Sequence, residues 1–277
     1  MKLAFSTNAF KKYSLEDSIK TIADIGYDGV EILCDIPHAY PDNLGEKKIQ
    51  SIIDCVSNCN IQISNLNAFT LYAITDVYHP SWIENEKELR QLRIQHTINC
   101  IHLAKKLRSK NLSTEPGGPI DKNTNNNIHE LEKLFLEGLN SAAAVAEEER
   151  VTILVEPEPN LLIENSKQFL NFIRNVPSPF VKLNFDIGHF YCVREDPVKL
   201  INDLSEYIVH FHLADIADNR VHNHLLPGKG SIDFRSVFKA MDDIGYEGFV
   251  TVELYPYQDN PAYAAEMAYK YLKSIIP

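Results

Sequence analysis

Short β-rich runs alternate with longer helical patterns from one end of this chain to the other, and no hairpin signal interrupts them. Strands are predicted near Lys2–Ser6, Gly29–Leu33, Ile61–Leu66, Lys110–Thr114, Val151–Glu156, Phe180–Asp186, Tyr207–Leu213 and Gly248–Leu254. Helical segments lie between them. Glu84–Leu107 carries Leu89, Leu92, Ile98 and Ile101 at helical spacing, and Asn127–Glu148 has an alanine-rich end. Strands joined by helices pair in parallel, and eight such units close into a (β/α)8 barrel of the α/β class. Such a barrel needs roughly 250 residues, so the 277 residues present fit one domain spanning 1–277. An internal echo points the same way. Asp24-Ile-Gly-Tyr-Asp-Gly-Val and Asp243-Ile-Gly-Tyr-Glu-Gly-Phe each end a helix at a glycine, which adopts the left-handed conformation that stops it, and then start a strand.

Composition narrows the function. A net charge of -11 repels polyanions, which argues against nucleic acid as a partner. No apolar run approaches the ~18 residues that cross a bilayer, and MKLAFSTNAF lacks a signal peptide's apolar stretch. The expectation is a soluble, cytoplasmic protein with no membrane partner. Five scattered cysteines argue against a disulfide framework and for a reducing compartment. Cys55 and Cys59 stand one helical turn apart with no matching Cys or His pair nearby, so they read as packed thiols rather than a zinc site. The chain has no GxGxxG after the first strand, no GxxxxGK[ST] and no GxSxG. Neither an organic cofactor nor a serine triad is expected.

The last four strands share an informative feature. They end in Glu156, Asp186, His212 and Glu253, all metal-ligand types. Consecutive strand ends of a closed barrel converge on one small volume, and three carboxylates there without a cation would cost several kcal/mol. One divalent ion resolves the conflict. Three carboxylates and an imidazole suit Mn, Co, Mg or Zn, and the oxygen-rich set favours Mn or Mg. His210 and His212 are two apart and both point inward, so either serves on geometry alone; His212 is nearer the mouth. Two long connectors, Asn67–Trp82 and Glu115–Asn127, emerge at the same end. They are expected to wall or cover a substrate pocket, with Phe69, Tyr72, Tyr78 and Trp82 offering aromatic surface to a sugar. The bland alternative is a pair of surface loops, with 123–127 merely solvated.

Glu156 after its apolar strand, Asn184-Phe-Asp186-Ile-Gly-His189, His210-Phe-His212, Val252-Glu253 and the Pro-Gly-Lys-Gly-Ser-Ile-Asp run at 227–233 together resemble the xylose-isomerase-like superfamily. That superfamily includes ketose 3-epimerases, hydroxypyruvate isomerase and inosose dehydratase, and it places the glycine-rich run before the final helix. The likeness covers nearly the whole chain. It implies Glu156, Asp186, His212 and Glu253 as ligands of one ion, His189 as a substrate contact and Arg220 as a substrate-binding arginine. His189 alternatively braces Asp186. Asn67 and Glu115, at the heads of the two connectors, join the candidate substrate contacts; Glu115 alternatively pairs with Lys122 or solvent. Apurinic-site endonucleases of the superfamily hold three zinc ions, and His224 matches one of their ligands. They need further histidines, however, which are missing around Asn67 and replaced by Glu115.

The implied activity is metal-dependent isomerisation or epimerisation of a small polyhydroxy ketone or aldehyde. The ion would stabilise an enediolate while Glu156 and Glu253 remove and return the proton. One rival is an inosose-type dehydratase on the same metal site, and another is a barrel that binds a metabolite without turnover. Substrate phosphorylation and assembly into a homo-oligomer stay open.

Overall fold

The computed structural model describes residues 1–120 and 127–276. Eight parallel strands close a barrel: β1 (Lys2–Ser6), β2 (Gly29–Leu33), β3 (Gln62–Asn67), β4 (Asn111–Thr114), β5 (Thr152–Val155), β6 (Val181–Asp186), β7 (Ile208–Leu213) and β8 (Phe249–Val252), with β8 returning to β1. Around them run α1 (Leu15–Ile25), α2 (Glu46–Asn58), α3 (Lys87–Leu107), α4 (Ile128–Glu149), α5 (Ser166–Ile173), α6 (Ile187–Cys192), α7 (Pro197–Asp203), α8 (Phe234–Asp243) and α9 (Pro261–Ile275). This is the single-domain (β/α)8 barrel that the alternation predicts. The repeated helix stops are real, since Gly26 and Gly245 have φ of 110° and 68° and sit between α1 and β2 and between α8 and β8. Among the described residues no helix is long and apolar enough to cross a membrane, and all five cysteines are free.

Helix α3 departs from its predicted face. Leu89 and Leu92 stay exposed, and the buried stripe runs through Arg93, Thr97, Cys100, Ala104 and Leu107 in steps of four and three. Hydropathy alone assigns an arginine to the surface, but a guanidinium can be buried when its donors find acceptors. Here Nε donates to the Pro80 carbonyl at 2.8 Å, and the terminal nitrogens reach the carbonyls of Phe69 at 2.9 Å, Ala68 at 3.3 Å and Tyr78 at 3.4 Å. Glu115 lies 3.9 Å away and accepts from the Trp82 N–H at 3.2 Å. Arg93 therefore clamps the connector between β3 and α3 to the barrel wall.

The same connector is held from a second side. The Asp35 carboxylate, just past β2, accepts from the Thr70 hydroxyl at 2.7 Å and the Ala73 N–H at 2.9 Å. Trp82 was expected at the pocket but is fully buried beneath it. Its ring packs 5.6 Å from Phe135 and its Nε1–H donates to Thr114 at 3.1 Å. Of the second long connector, residues 115–120 also brace neighbours, with the Gly118 N–H donating to Ser81 at 2.7 Å and the Ile120 N–H to the Asn160 carbonyl at 3.1 Å. Lys122 and residues 123–126 lie outside the described residues.

The Pro-Gly-Lys-Gly-Ser-Ile-Asp run precedes α8 rather than the final helix, because α9 follows β8. Asp215 gathers it, accepting from the N–H groups of Gly228 and Gly230 at 2.8 Å each and of Ile232 at 3.2 Å. A Cβ at Gly230 would sit 2.3 Å from the Ile216 carbonyl oxygen, so only glycine fits that approach. Replacing Arg93 with methionine is expected to destabilise the fold by about 3–5 kcal/mol, since it strands Glu115 and several buried carbonyls. Leu92→Ala should change stability by no more than about 0.5 kcal/mol. Urea unfolding of the two variants measures both.

Candidate metal centre

The mouth of the barrel is assembled by register. Asp186, the last residue of β6, lies opposite His212 of β7, and Asn184 lies opposite His210 one layer below. Glu156 and Glu253 follow immediately on β5 and β8. Side chains alternate in and out along a strand, so all four ligand types face the axis. They are buried, and one donor atom from each of Glu156, Asp186, His212 and Glu253 falls within 4.8 Å of the others.

Hydrogen bonds aim each donor. Asn184 holds one Glu156 oxygen at 2.8 Å, and Asn8 and Asn67 hold Glu253 Oε1 at 2.8 and 3.2 Å. The His189 N–H fixes Asp186 Oδ1 at 2.8 Å, leaving Oδ2 buried without a hydrogen-bond partner. The His212 ring bridges the cluster. Its Nδ1 lies 3.0 Å from Glu156 and 3.8 Å from Glu253, while Nε2 lies 2.6 Å from Glu31 of β2. An Nε2–H donated to Glu31 leaves the Nδ1 lone pair facing the other donors, which is how a carboxylate behind a metal-bound histidine sets its tautomer. An orphaned carboxylate oxygen, two amide-held glutamates and an aimed imidazole fit a divalent cation.

The charges are strongly coupled. Burial pushes Glu253 up to about 8, with Glu156, Glu31 and Asp186 adding to the effect against His212. Burial acts upward on Glu31 too, but the His212 charge and hydrogen bond outweigh it and bring it to about 2. For Asp186 the histidines 189, 224 and 212 likewise overcome burial and hold the carboxyl below its usual value. His212 is driven the other way, well above an ordinary histidine, because Glu156, Glu31 and Glu253 overcome its burial.

A cavity of about 210 Å³ opens above these donors, walled in part by Asn67, Phe69, Tyr72, Tyr78, His189 and Glu158. The His189 main chain braces Asp186, and its ring lines the cavity with Nδ1 donating to the Pro157 carbonyl at 3.0 Å. Glu115 and Arg220 do not line the cavity. Glu115 is locked to Trp82 and Gly117 beneath the connector. Arg220, at φ 60°, donates to the Tyr191 carbonyl at 2.7 Å and stacks 4.0 Å over that tyrosine's ring. Three important groups escaped sequence reasoning. Glu31 sits in Gly-Val-Glu-Ile-Leu, where a carboxylate inside an apolar strand was the available signal. Glu158 follows Glu156 in Glu-Pro-Glu-Pro and accepts from Tyr78 at 2.7 Å, and burial pushes its carboxyl up to about 7. Asn8 gives no signal beyond following β1.

The model of the xylose isomerase-like TIM barrel family matches residues 19–275, and the chain belongs to that family. Fructoselysine 3-epimerase of Shigella flexneri is 24% identical over 284 residues, spanning 100% of this chain and 99% of the relative. Inosose dehydratase of Clostridium beijerinckii is 25% identical over 95% of this chain and 90% of its own length. Among solved structures, a D-tagatose 3-epimerase-like protein superposes with a TM-score of 0.81 at 22% identity, covering 99% of this chain and 98% of that one. The IolI protein with a bound zinc atom also reaches 0.81, at 20% identity over 100% and 98%.

Two outcomes test the centre. Glu31→Gln should weaken metal binding by about 10–100-fold, because the imidazole loses the carboxylate that orients it; competition with a fluorescent chelator reads this. Glu253 and His212 hold protons that a cation must displace, so affinity should strengthen as pH rises towards about 8. Uptake at neutral pH should release roughly two protons per ion, one from each group. Calorimetry in buffers of different ionisation enthalpy counts them.

Proposed function

We propose that this protein is a divalent-metal-dependent epimerase or isomerase of a small sugar, exchanging a proton on carbon beside a carbonyl. The observation that carries the reading is the pair Glu156 and Glu253. These carboxylates come from β5 and β8, nearly opposite strands of the barrel, and converge on one imidazole nitrogen. A divalent ion held by Glu156, Asp186, His212 and Glu253 would withdraw charge from the sugar's carbonyl and adjacent hydroxyl, making the neighbouring C–H acidic enough to lose its proton. Glu156 would take the proton on one side, Glu253, reprotonated from solvent, would return one on the other, and Glu156 would pass its proton to solvent to close the cycle. The amides of Asn184, Asn8 and Asn67 keep both carboxylates on aim. Transfer across one carbon inverts it, and transfer between neighbouring carbons interconverts aldose and ketose.

Phe69, Tyr72 and Tyr78 wall the cavity with ring surface that suits the C–H faces of a sugar, and His189 and Glu158 offer polar contacts beside them. Mn, Co, Mg and Zn all suit the donor set, with the three carboxylates favouring Mn or Mg. The family match and the epimerase relative support the reading.

Glu158 favours one second reading. A carboxyl titrating near 7 is available in its protonated form to donate to a departing hydroxyl, as dehydration requires, and a relative carries the name inosose dehydratase.

Glu156→Gln and Glu253→Gln should each lower solvent-deuterium incorporation into a turned-over sugar by about 10²–10⁴-fold at saturating metal. Metal affinity should fall less, because the amide oxygen still coordinates. Proton NMR in deuterated water reads both the exchange and any loss of water from the product. Exchange at the wild-type rate in both variants sinks the two-glutamate mechanism.

A further inference from the structure

The cavity contains a cation that the proposed reaction does not use. Lys11 lies just after the 3-10 turn Thr7–Phe10, is half-buried, and lines the same cavity as Glu156 and Glu253. Its ammonium stands 4.5 Å over the ring of Tyr72. Among the described residues it makes no hydrogen bond or ion pair, in a chain of net charge -11 and beside a mouth crowded with carboxylates.

The obvious local partner is already engaged. Asp35 and Glu253 both lie close enough to act on the Lys11 charge, yet the Asp35 carboxylate accepts from Ile36, Thr70, Tyr72 and Ala73, and Glu253 accepts from Asn8 and Asn67. The Asp35 bonds hold the Tyr72 backbone, and Tyr72 in turn lies under the ammonium. The other long cation predicted for substrate, Arg220, is committed to Tyr191 away from the cavity. Lys11 is therefore the one lysine or arginine among the residues described as walling this space. A partly desolvated ammonium with three donors and no acceptor lacks what an anionic ligand group supplies.

We propose that Lys11 recognises an anionic group, phosphate or carboxylate, on the sugar bound in this cavity. The substrate class is then an acidic ketose or aldose rather than a neutral one. This rests on the sugar reading of the same cavity. Tyr72 positions the ammonium through its ring, and the Asp35 turn positions Tyr72.

The test measures binding, so it does not depend on turnover. The full chain loaded with Mn2+ is titrated calorimetrically with D-fructose and D-tagatose, each as the free sugar, the 6-phosphate and the 6-uronate. At least one anionic form should bind wild type on the order of tenfold or more tighter than its neutral parent, as a charge-assisted hydrogen bond implies. The phosphate and carboxylate arms show which anion is taken. Lys11→Met should collapse that ratio towards one, and Lys11→Arg should keep most of it, both measured at saturating Mn2+. Equal affinities for charged and neutral sugars, no measurable binding of any anionic form, or a preference that survives Lys11→Met overturns the proposal. A Lys11-dependent preference without deuterium exchange into any of these sugars would instead uphold this inference and count against the epimerase reading.

Discussion

Four carboxylates surround one buried imidazole at the mouth of this barrel, and their mutual repulsion is the constraint the surrounding structure answers. Glu31, Glu156, Asp186 and Glu253 all lie close to His212, with almost no exposure to water. Charges so placed need either a cation or a dense set of donors. The barrel provides the donors from its own interior. Asn65 donates to Glu31 at 2.8 Å and to Ser113 at 3.0 Å, Asn111 donates to Asn65 at 2.7 Å, and Ser64 meets Thr251 at 3.1 Å. Barrels of this class usually fill such layers with branched apolar side chains. Here a connected amide and hydroxyl network replaces part of them, and apolar packing moves to the helix–sheet shell, where Phe135, Phe169, Phe185 and Phe211 are buried. A connected network of buried hydrogen bonds rigidifies what it supports, which is what a precisely aimed donor set requires.

The cavity above that network has a fixed wall rather than a loose lid. Arg93 clamps the β3–α3 connector from the helix side and Asp35 from the β2 side. The aromatic face presented by Phe69, Tyr72 and Tyr78 is thus set by two buried charges that never touch the cavity. Binding energy then need not order that wall, which favours tight recognition of a small ligand.

What was legible in the chain divides along the range of the interactions involved. Strand ends carrying Glu156, Asp186, His212 and Glu253 could be found because alternation and strand order are local properties, and barrel closure turns four sequential ends into one cluster. Glu31 shows only a carboxylate inside an apolar strand, because its partner His212 is set once β2 and β7 face each other across the axis. Trp82 and Leu89 were misplaced for a different reason. Aromatic or apolar character states that a residue prefers burial, not which surface it will share. Arg93 and Glu115 were missed as a core pair because each alone reads as surface, and only partners distant in sequence make their burial possible. Arg220 was carried from a loop, where chain length rather than side-chain chemistry sets the register.

The protons at the centre explain how such a site coexists with a stable fold. Burial raises Glu253 to about 8 and the surrounding carboxylates raise His212, so the centre holds two protons that a divalent cation would displace. Two protons and one divalent cation are electrostatically interchangeable here. The barrel can therefore close before the ion arrives, and loading becomes an exchange rather than a folding step. Glu31, held at about 2 by His212, would keep its charge through that exchange and continue to accept the Nε2–H. Only the Nδ1 side of the ring changes occupant, so the imidazole need not move when proton gives way to metal.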